Sequence, residues 1–321
     1  MKYEKLGTTD IEISKLCVGC MSFGVPSADF HEWTLSQEES SAVIRKALEL
    51  GINFFDTANA YSHGTSEEFL GNALREAGVQ RDKAVVATKV YFNEGKLSKE
   101  GILKSIDGSL SRLGMDYVDL YIIHRFDYDT PIEETMETLH SLVKAGKVRA
   151  LGASAMYGYQ FHNMQLSAER NGWTKFVSMQ NHYNLLYRED ERELIPICRQ
   201  YGVSLTPYSP LAAGRLCRPT WSADSKRSRT DKVAVSKYDG TQEQDKKIVE
   251  RVSELAQKYD ASMAQIAVAW LWAKGVASPI IGATKPKYFD DIAAAESITL
   301  TDEDIAYLDE MYQPHRIMGA L

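Results

Sequence analysis

A closed α/β barrel, the (β/α)8 TIM barrel, is predicted by three features of this 321-residue chain. Eight short apolar segments, each bounded by turn or polar residues, read as strands. Helix-start signals and helically spaced apolar residues separate them. The alternation favours strand-helix repeats over unrelated units, and this length fits one barrel, so a single domain over 1–321 is expected.

In chain order, a short N-terminal hairpin leads into expected strands at 16–20, 54–56, 85–89, 118–123, 150–152, 176–179, 204–206 and 278–281. Ser36 with Glu39, Thr65 with Glu68 and Thr130 with Glu133 each have the form of a capping box, in which hydroxyl and carboxylate satisfy opposite backbone donors; Pro131 fits the first helical position. Ile102, Ile106, Leu110 and Leu113 recur at helical spacing, as do Met136, Leu139 and Val143, and these stripes are read as packing against a sheet. Thr241 with Gln244, Ser262 with Gln265 and Thr301 with Asp304 mark later starts. The rhythm breaks between 216 and 240, where Lys, Arg, Ser and Asp crowd together with little apolar periodicity; a long loop is expected over 217–240.

Composition narrows the function classes. Charged residues make up 25% and hydrophobic ones 44%, and 37 basic against 44 acidic side chains give a net charge of -7. That balance excludes a broadly disordered chain and does not suggest a nucleic-acid wrapper or a polybasic membrane binder. No nucleic-acid motif is present. No long apolar run follows Met1, so neither a secretory signal nor a membrane span is expected, and the default location is cytoplasmic. Four cysteines are too sparse for a disulfide scaffold. Cys17 and Cys20 fall in an expected strand, where residues three apart face opposite ways and do not readily share a metal or a disulfide. Gly152-Ala153-Ser154-Ala155-Met156 does not complete a hydrolase elbow, and His31-Glu32-Trp33 does not continue into a zinc motif. No metal is implied, and the oligomeric partner is unknown.

Three polar residues each terminate an apolar strand: Asp56 after Phe54-Phe55, Lys89 after Val85-Val86-Ala87-Thr88, and His124 after Leu120-Tyr121-Ile122-Ile123. Tyr61 follows Asp56 by five residues, in a loop before the Thr65 helix. Taken singly, Tyr61 reads as amphipathic surface, His124 as a core histidine and Lys89 as a solvated strand end. In a barrel, strand ends converge on one face, which joins the four into one candidate site.

Longer runs around these residues carry a resemblance. They are Gly51-Ile52-Asn53-Phe54-Phe55-Asp56-Thr57-Ala58-Asn59-Ala60-Tyr61, Thr88-Lys89, Asp119-Leu120-Tyr121-Ile122-Ile123-His124-Arg125, Val148-Arg149-Ala150-Leu151-Gly152-Ala153-Ser154, Gln180, and Thr206-Pro207-Tyr208-Ser209-Pro210-Leu211-Ala212-Ala213-Gly214. Over almost its whole length the sequence resembles the aldo-keto reductase family. The resemblance implies an NADPH-dependent oxidoreductase that reduces a small aldehyde or ketone to an alcohol, with Asp56, Tyr61, Lys89 and His124 as the catalytic set.

The chemistry suits those residue types. Hydride reaching a carbonyl carbon leaves negative charge on oxygen, and Tyr61 can protonate it as general acid. Tyrosine holds its proton to a pKa of about 10, so a Lys89 ammonium that stabilises tyrosinate helps, and Asp56 would orient and balance that ammonium. His124 would orient the carbonyl and supply a hydrogen bond.

Without a strand-associated Gly-x-Gly-x-x-Gly, cofactor contacts come from the resemblance alone. It puts Tyr208 against the nicotinamide, Ser154 and Gln180 at its carboxamide, and Ser209, Leu211 and Gly214 along the ribose and pyrophosphate, with the loop over 217–240 closing above. Gly282, Thr284 and Lys285 fall near the extra phosphate of NADP+, favouring NADPH, with NADH possible. The chain departs from many relatives in having Gly282-Ala283 in place of a Lys-Ser pair, Tyr288 in place of an Arg, and Ala155 in place of an Asn. Trp33, Phe92, Phe126 and Tyr157 are candidates for an aromatic substrate wall, and Arg125 either attracts an acidic substrate or serves a structural ion pair. Two alternatives stand beside the reductase reading: a nicotinamide-binding, redox-sensing regulatory subunit, and a sugar-phosphate-directed enzyme of the same family.

Overall fold

The computed structural model describes residues 1–27, 31–221 and 230–319. A hairpin of β1 (Tyr3–Lys5) and β2 (Glu12–Ser14) comes first. Eight parallel strands follow: β3 (Cys17–Gly19), β4 (Phe54–Asp56), β5 (Val85–Val90), β6 (Val118–Ile123), β7 (Val148–Ser154), β8 (Phe176–Gln180), β9 (Ser204–Leu205) and β10 (Ile280–Ile281). Their spatial order, β10-β3-β4-β5-β6-β7-β8-β9, leaves the first and last to meet. Backbone bonds from Ala277 N to Leu205 O (3.0 Å) and from Ile280 N to Pro207 O (3.0 Å) join those edges, which abolishes the open sheet edge. All eight expected strands are present, with ends that coincide or differ by one or two residues.

Period-two alternation divides the core in two. Cys17, Phe54, Val85, Ala87, Leu120, Ile122 and Ala150 fill the barrel, closed below by Leu6, Ile11 and Ile13 of the hairpin. Their neighbours Val18, Phe55, Val86, Tyr121, Ile123 and Leu151 face outward to the helices. Cys20 belongs to that outer layer and Cys17 to the inner one, as their spacing required. By the same alternation Asp56, Lys89 and His124 continue the inward rows of β4, β5 and β6 at their carboxyl ends.

The outer layer begins with α1 (Gln37–Glu49), α2 (Thr65–Glu76), α3 (Lys99–Leu113), α4 (Ile132–Lys144), α5 (Gly158–Asn171) and α6 (Leu194–Gln200). It continues with α7 (Lys232–Tyr238), α8 (Gln242–Lys258), α9 (Met263–Ala273), α10 (Lys287–Ala293) and α11 (Asp302–Asp309). The boxes at Ser36, Ser262 and Thr301 form, with both reciprocal bonds. The other three expected boxes do not; each of those hydroxyls is turned to a different local partner and accepts nothing from the amide three residues on. Thr65 lies inside α2 and donates to Ser62 O (2.7 Å), while Gly64 at φ +92° is the cap. Thr130 donates to Asp127 (2.7 Å), leaving Pro131 as the cap rather than the first helical residue. Thr241 donates to Asp245 (2.6 Å).

The expected loop over 217–240 also needs correction. It contains α7, which is capped by Asp231 accepting from Ala234 N (2.9 Å) and buries Ala234 and Tyr238, four residues apart. Two buried positions make too short a stripe to read as a period. The middle of that loop, 222–229, lies outside the described residues. Among the described residues no helix is long and apolar enough to cross a membrane.

Candidate active site

The carboxyl ends of the strands open into a cavity of about 1770 Å³. At its floor Lys89, fully buried, uses all three ammonium hydrogens: to Asp56 Oδ1 at 2.6 Å, to Thr57 O at 2.8 Å and to Tyr61 Oη at 3.2 Å. Gln180 Nε2 donates to the other Asp56 oxygen at 2.9 Å. Burial works against the Lys89 charge, but Asp56 and Tyr61 outweigh it and hold the lysine above its ordinary range. Burial pushes the Tyr61 phenol up, against the pull of Lys89. Because Lys89 donates to the phenol oxygen, the phenol proton is directed elsewhere.

His124 stands edge-on to Tyr61, with ring centroids 5.8 Å apart, and edge-on to Phe92 at 5.0 Å. Burial, and then the charges of Lys89 and Arg125, hold its pKa well below the usual histidine range, so the imidazole is neutral at neutral pH. Its Nδ1 is buried with no partner among the described residues. Asp56, Tyr61 and His124 all line the cavity.

The residues expected around a nicotinamide cofactor line the same cavity. Ser154 and Gln180 do so beside Asp56, Tyr208 with Ser209, Leu211 and Gly214 form one wall, and Gly282, Thr284 and Lys285 form another. Ser154 Oγ donates to Gln180 O at 2.8 Å. Of the four aromatic wall candidates, Trp33 and Phe92 line the cavity, whereas Phe126 packs on Tyr128 and Tyr157 on Tyr159.

Several supporting residues escaped sequence reasoning. The Tyr208 ring stacks on His182 (5.1 Å, 9° between planes), which stacks in turn on Tyr187 (4.1 Å, 14°). His182 Nε2 lies 2.7 Å from Tyr238 Oη on α7, so this column ties a cavity wall to the covering helix. Asn184 donates to Ser209 O at 2.8 Å. Ser209 has φ +55°, and Ser62, His63, Ala155, Ala212 and Ala213 are also left-handed, so non-glycine strain gathers in loops at this face. The Gln180-Asn181-His182-Tyr183-Asn184 run was the visible trace, but nothing in its spacing says which side chains turn inward.

Ala155 illustrates the strain. At φ +45° an alanine has no side-chain compensation, whereas asparagine tolerates this region. Ala155→Asn is therefore expected to leave the fold intact and raise stability by up to about 1 kcal/mol, checked by urea denaturation; a lowered midpoint would count against the strain argument.

The aldo/keto reductase family model matches residues 15–313. Versiconal hemiacetal acetate reductase of Aspergillus parasiticus is 42% identical over 341 residues, covering 99% of this chain and 98% of that protein. An aldo-keto reductase of Alternaria alternata is 39% identical over 347 residues (99% and 93%), and one of Fusarium vanettenii 40% identical over 346 (99% and 92%).

Proposed function

Because the chain belongs to the aldo/keto reductase family, whose enzymes reduce carbonyl compounds with NADPH, we propose that Tyr61 is the general acid of that reaction, with Lys89, Asp56 and His124 as its partners. The observation that carries this reading is the Lys89 ammonium, hydrogen-bonded at once to Asp56 and to the Tyr61 phenol. NADPH, when bound, supplies the hydride. Tyr61 then gives its proton to the carbonyl oxygen, and the Lys89 charge lowers the energy of the tyrosinate left behind. Asp56, itself held by Gln180, keeps that ammonium charged and pointed. A neutral His124 donates a hydrogen bond to the same oxygen as charge develops there, and a neutral imidazole does this without offering its own proton for transfer. Oxidation of an alcohol runs these steps in reverse.

The residues present fit the cofactor. Gln180 is buried, its Nε2 is committed to Asp56, and its Oε1 accepts no hydrogen bond among the described residues, so it suits a carboxamide donor. Tyr208 has one face backed by His182, which leaves the other as a stacking surface. The Lys237 ammonium, 4.6 Å from that ring's centroid, has to yield that face. Thr284 and the exposed Lys285 suit the extra phosphate of NADPH. Lys285→Ala is expected to raise KM for NADPH on the order of tenfold while moving KM for NADH much less; equal effects on both would remove Lys285 from phosphate recognition.

For substrate, Trp33 and Phe92 support a planar or apolar carbonyl compound. The reading is tested by following oxidation of NADPH and NADH across a panel of aldehydes and ketones. Carbonyl-dependent oxidation, faster with NADPH, is expected. Tight cofactor binding without turnover across the panel would overturn it in favour of a redox-sensing role.

A further inference from the structure

Arg125 directly follows His124 and lines the cavity with it. Its charge bears on Tyr61, His124, Tyr208 and Lys237, groups that approach the cavity from separate segments of the chain. The guanidinium therefore lies within electrostatic reach of all four. One hydrogen goes to His124 O at 3.0 Å, and the Phe92 ring lies 5.8 Å away. An arginine carries five N–H donors in a planar fork. Among the described residues Arg125 has no carboxylate within 4.0 Å, so the structural ion pair that would otherwise explain it is missing there. A second cation adds to the imbalance. Lys237, on α7, also lines the cavity without a carboxylate within 4.0 Å among the described residues, and burial, then Arg125, push its pKa down to about 8. Asp231 acts on Lys237 only from farther off, its carboxylate being used to cap α7.

Two like charges facing one cavity, neither with a carboxylate within 4.0 Å among the described residues, repel each other, and an anion entering between them relieves that repulsion. Phe92, 56% exposed beside Arg125, offers an apolar surface for the rest of the molecule. We propose that Arg125 receives an anionic group of the substrate, so that the enzyme selects carbonyl compounds bearing a carboxylate or phosphate over their neutral counterparts. The proposal rests on the carbonyl-reductase reading above and adds the charge of the substrate to it. Carboxylate and phosphate share the fork geometry that a guanidinium matches.

Two paired comparisons test it with NADPH at low salt: 4-formylbenzoate against its near-isostere 4-formylbenzamide, and glyceraldehyde 3-phosphate against glyceraldehyde. In the wild-type enzyme kcat/KM is expected to favour the charged member of at least one pair on the order of tenfold or more, and the favoured pair identifies the anion. Arg125→Met should bring that ratio towards one. Arg125→Lys should keep part of it, since lysine retains the charge but not the fork. Ratios near one for both pairs in the wild type overturn the proposal, and that result does not depend on any variant folding. So does a preference that survives in Arg125→Met, or a rise in the KM for NADPH in that variant with neutral aldehyde, which would assign Arg125 to the cofactor. Should no carbonyl be turned over, the reductase reading fails. Calorimetric binding of 4-formylbenzoate against 4-formylbenzamide, to wild type and Arg125→Met with and without NADP+, then decides the proposal by itself: a carboxylate preference that needs Arg125 upholds it, and equal binding overturns it.

Discussion

Replacing Tyr61 with phenylalanine should cut carbonyl turnover by a factor of roughly 10²–10⁴, the range expected when a positioned general acid is removed. The fold should survive. Lys89 keeps Asp56 and Thr57 as acceptors after the phenol oxygen at 3.2 Å is gone, and the edge contact with His124 at 5.8 Å needs only the ring. The cost in stability is that of one hydrogen bond, about 1 kcal/mol. Cofactor affinity, read by quenching of protein fluorescence, should change little, and near-normal turnover would sink the assignment. The pH profile adds a second check. A general acid works while protonated, and burial raises the Tyr61 pKa, so reduction should stay level through neutrality and fall only above the ordinary phenol range. His124, held well below its usual pKa mainly by burial, should produce no inflection near pH 6.5. A rate loss centred there would mean that the imidazole titrates and is not the neutral donor proposed.

The parts legible in the sequence are those set by short-range rules. Strand parity and strand ends are local, so the apolar runs ending at Asp56, Lys89 and His124 could be read from order alone, and a barrel then requires them to meet. Helix starts were legible in part. Ser36 forms its box, while Thr65, Thr130 and Thr241 turn to a carbonyl or carboxylate three or four residues away, a choice between local partners that residue type and spacing do not decide. Long-range pairing was the opaque part. Gln180 reaches Asp56 across 124 residues of chain, and His182 meets Tyr238 across 56, distances at which no periodicity carries information. Arg125 was ambiguous for the same reason: whether it has a carboxylate beside it is decided by segments remote in the sequence.

The Asp56–Lys89 pair carries the other large expected effect. Both side chains are almost wholly buried, at 3% and 0% exposure, and their 2.6 Å contact compensates two charges that burial would otherwise penalise. Lys89→Met should therefore destabilise the protein by about 3–5 kcal/mol, because Asp56, whose pKa burial already raises, is left with only Gln180 as a partner and must either stay charged unpaired or take up a proton. Turnover should fall as well, since nothing remains to stabilise tyrosinate. These two consequences separate in the double variant Asp56→Asn with Lys89→Met. Removing both charges takes away the desolvation penalty, and the asparagine oxygen can still accept from Gln180. Stability should return most of the way to wild type while turnover stays low. Urea midpoints and steady-state rates for the four proteins complete the cycle. If the double variant were no more stable than Lys89→Met, the loss would reflect packing of the lysine stem rather than an uncompensated carboxylate. If it recovered turnover, the ammonium would have no part in the proton step, and Tyr61 would have to be activated by some group other than Lys89.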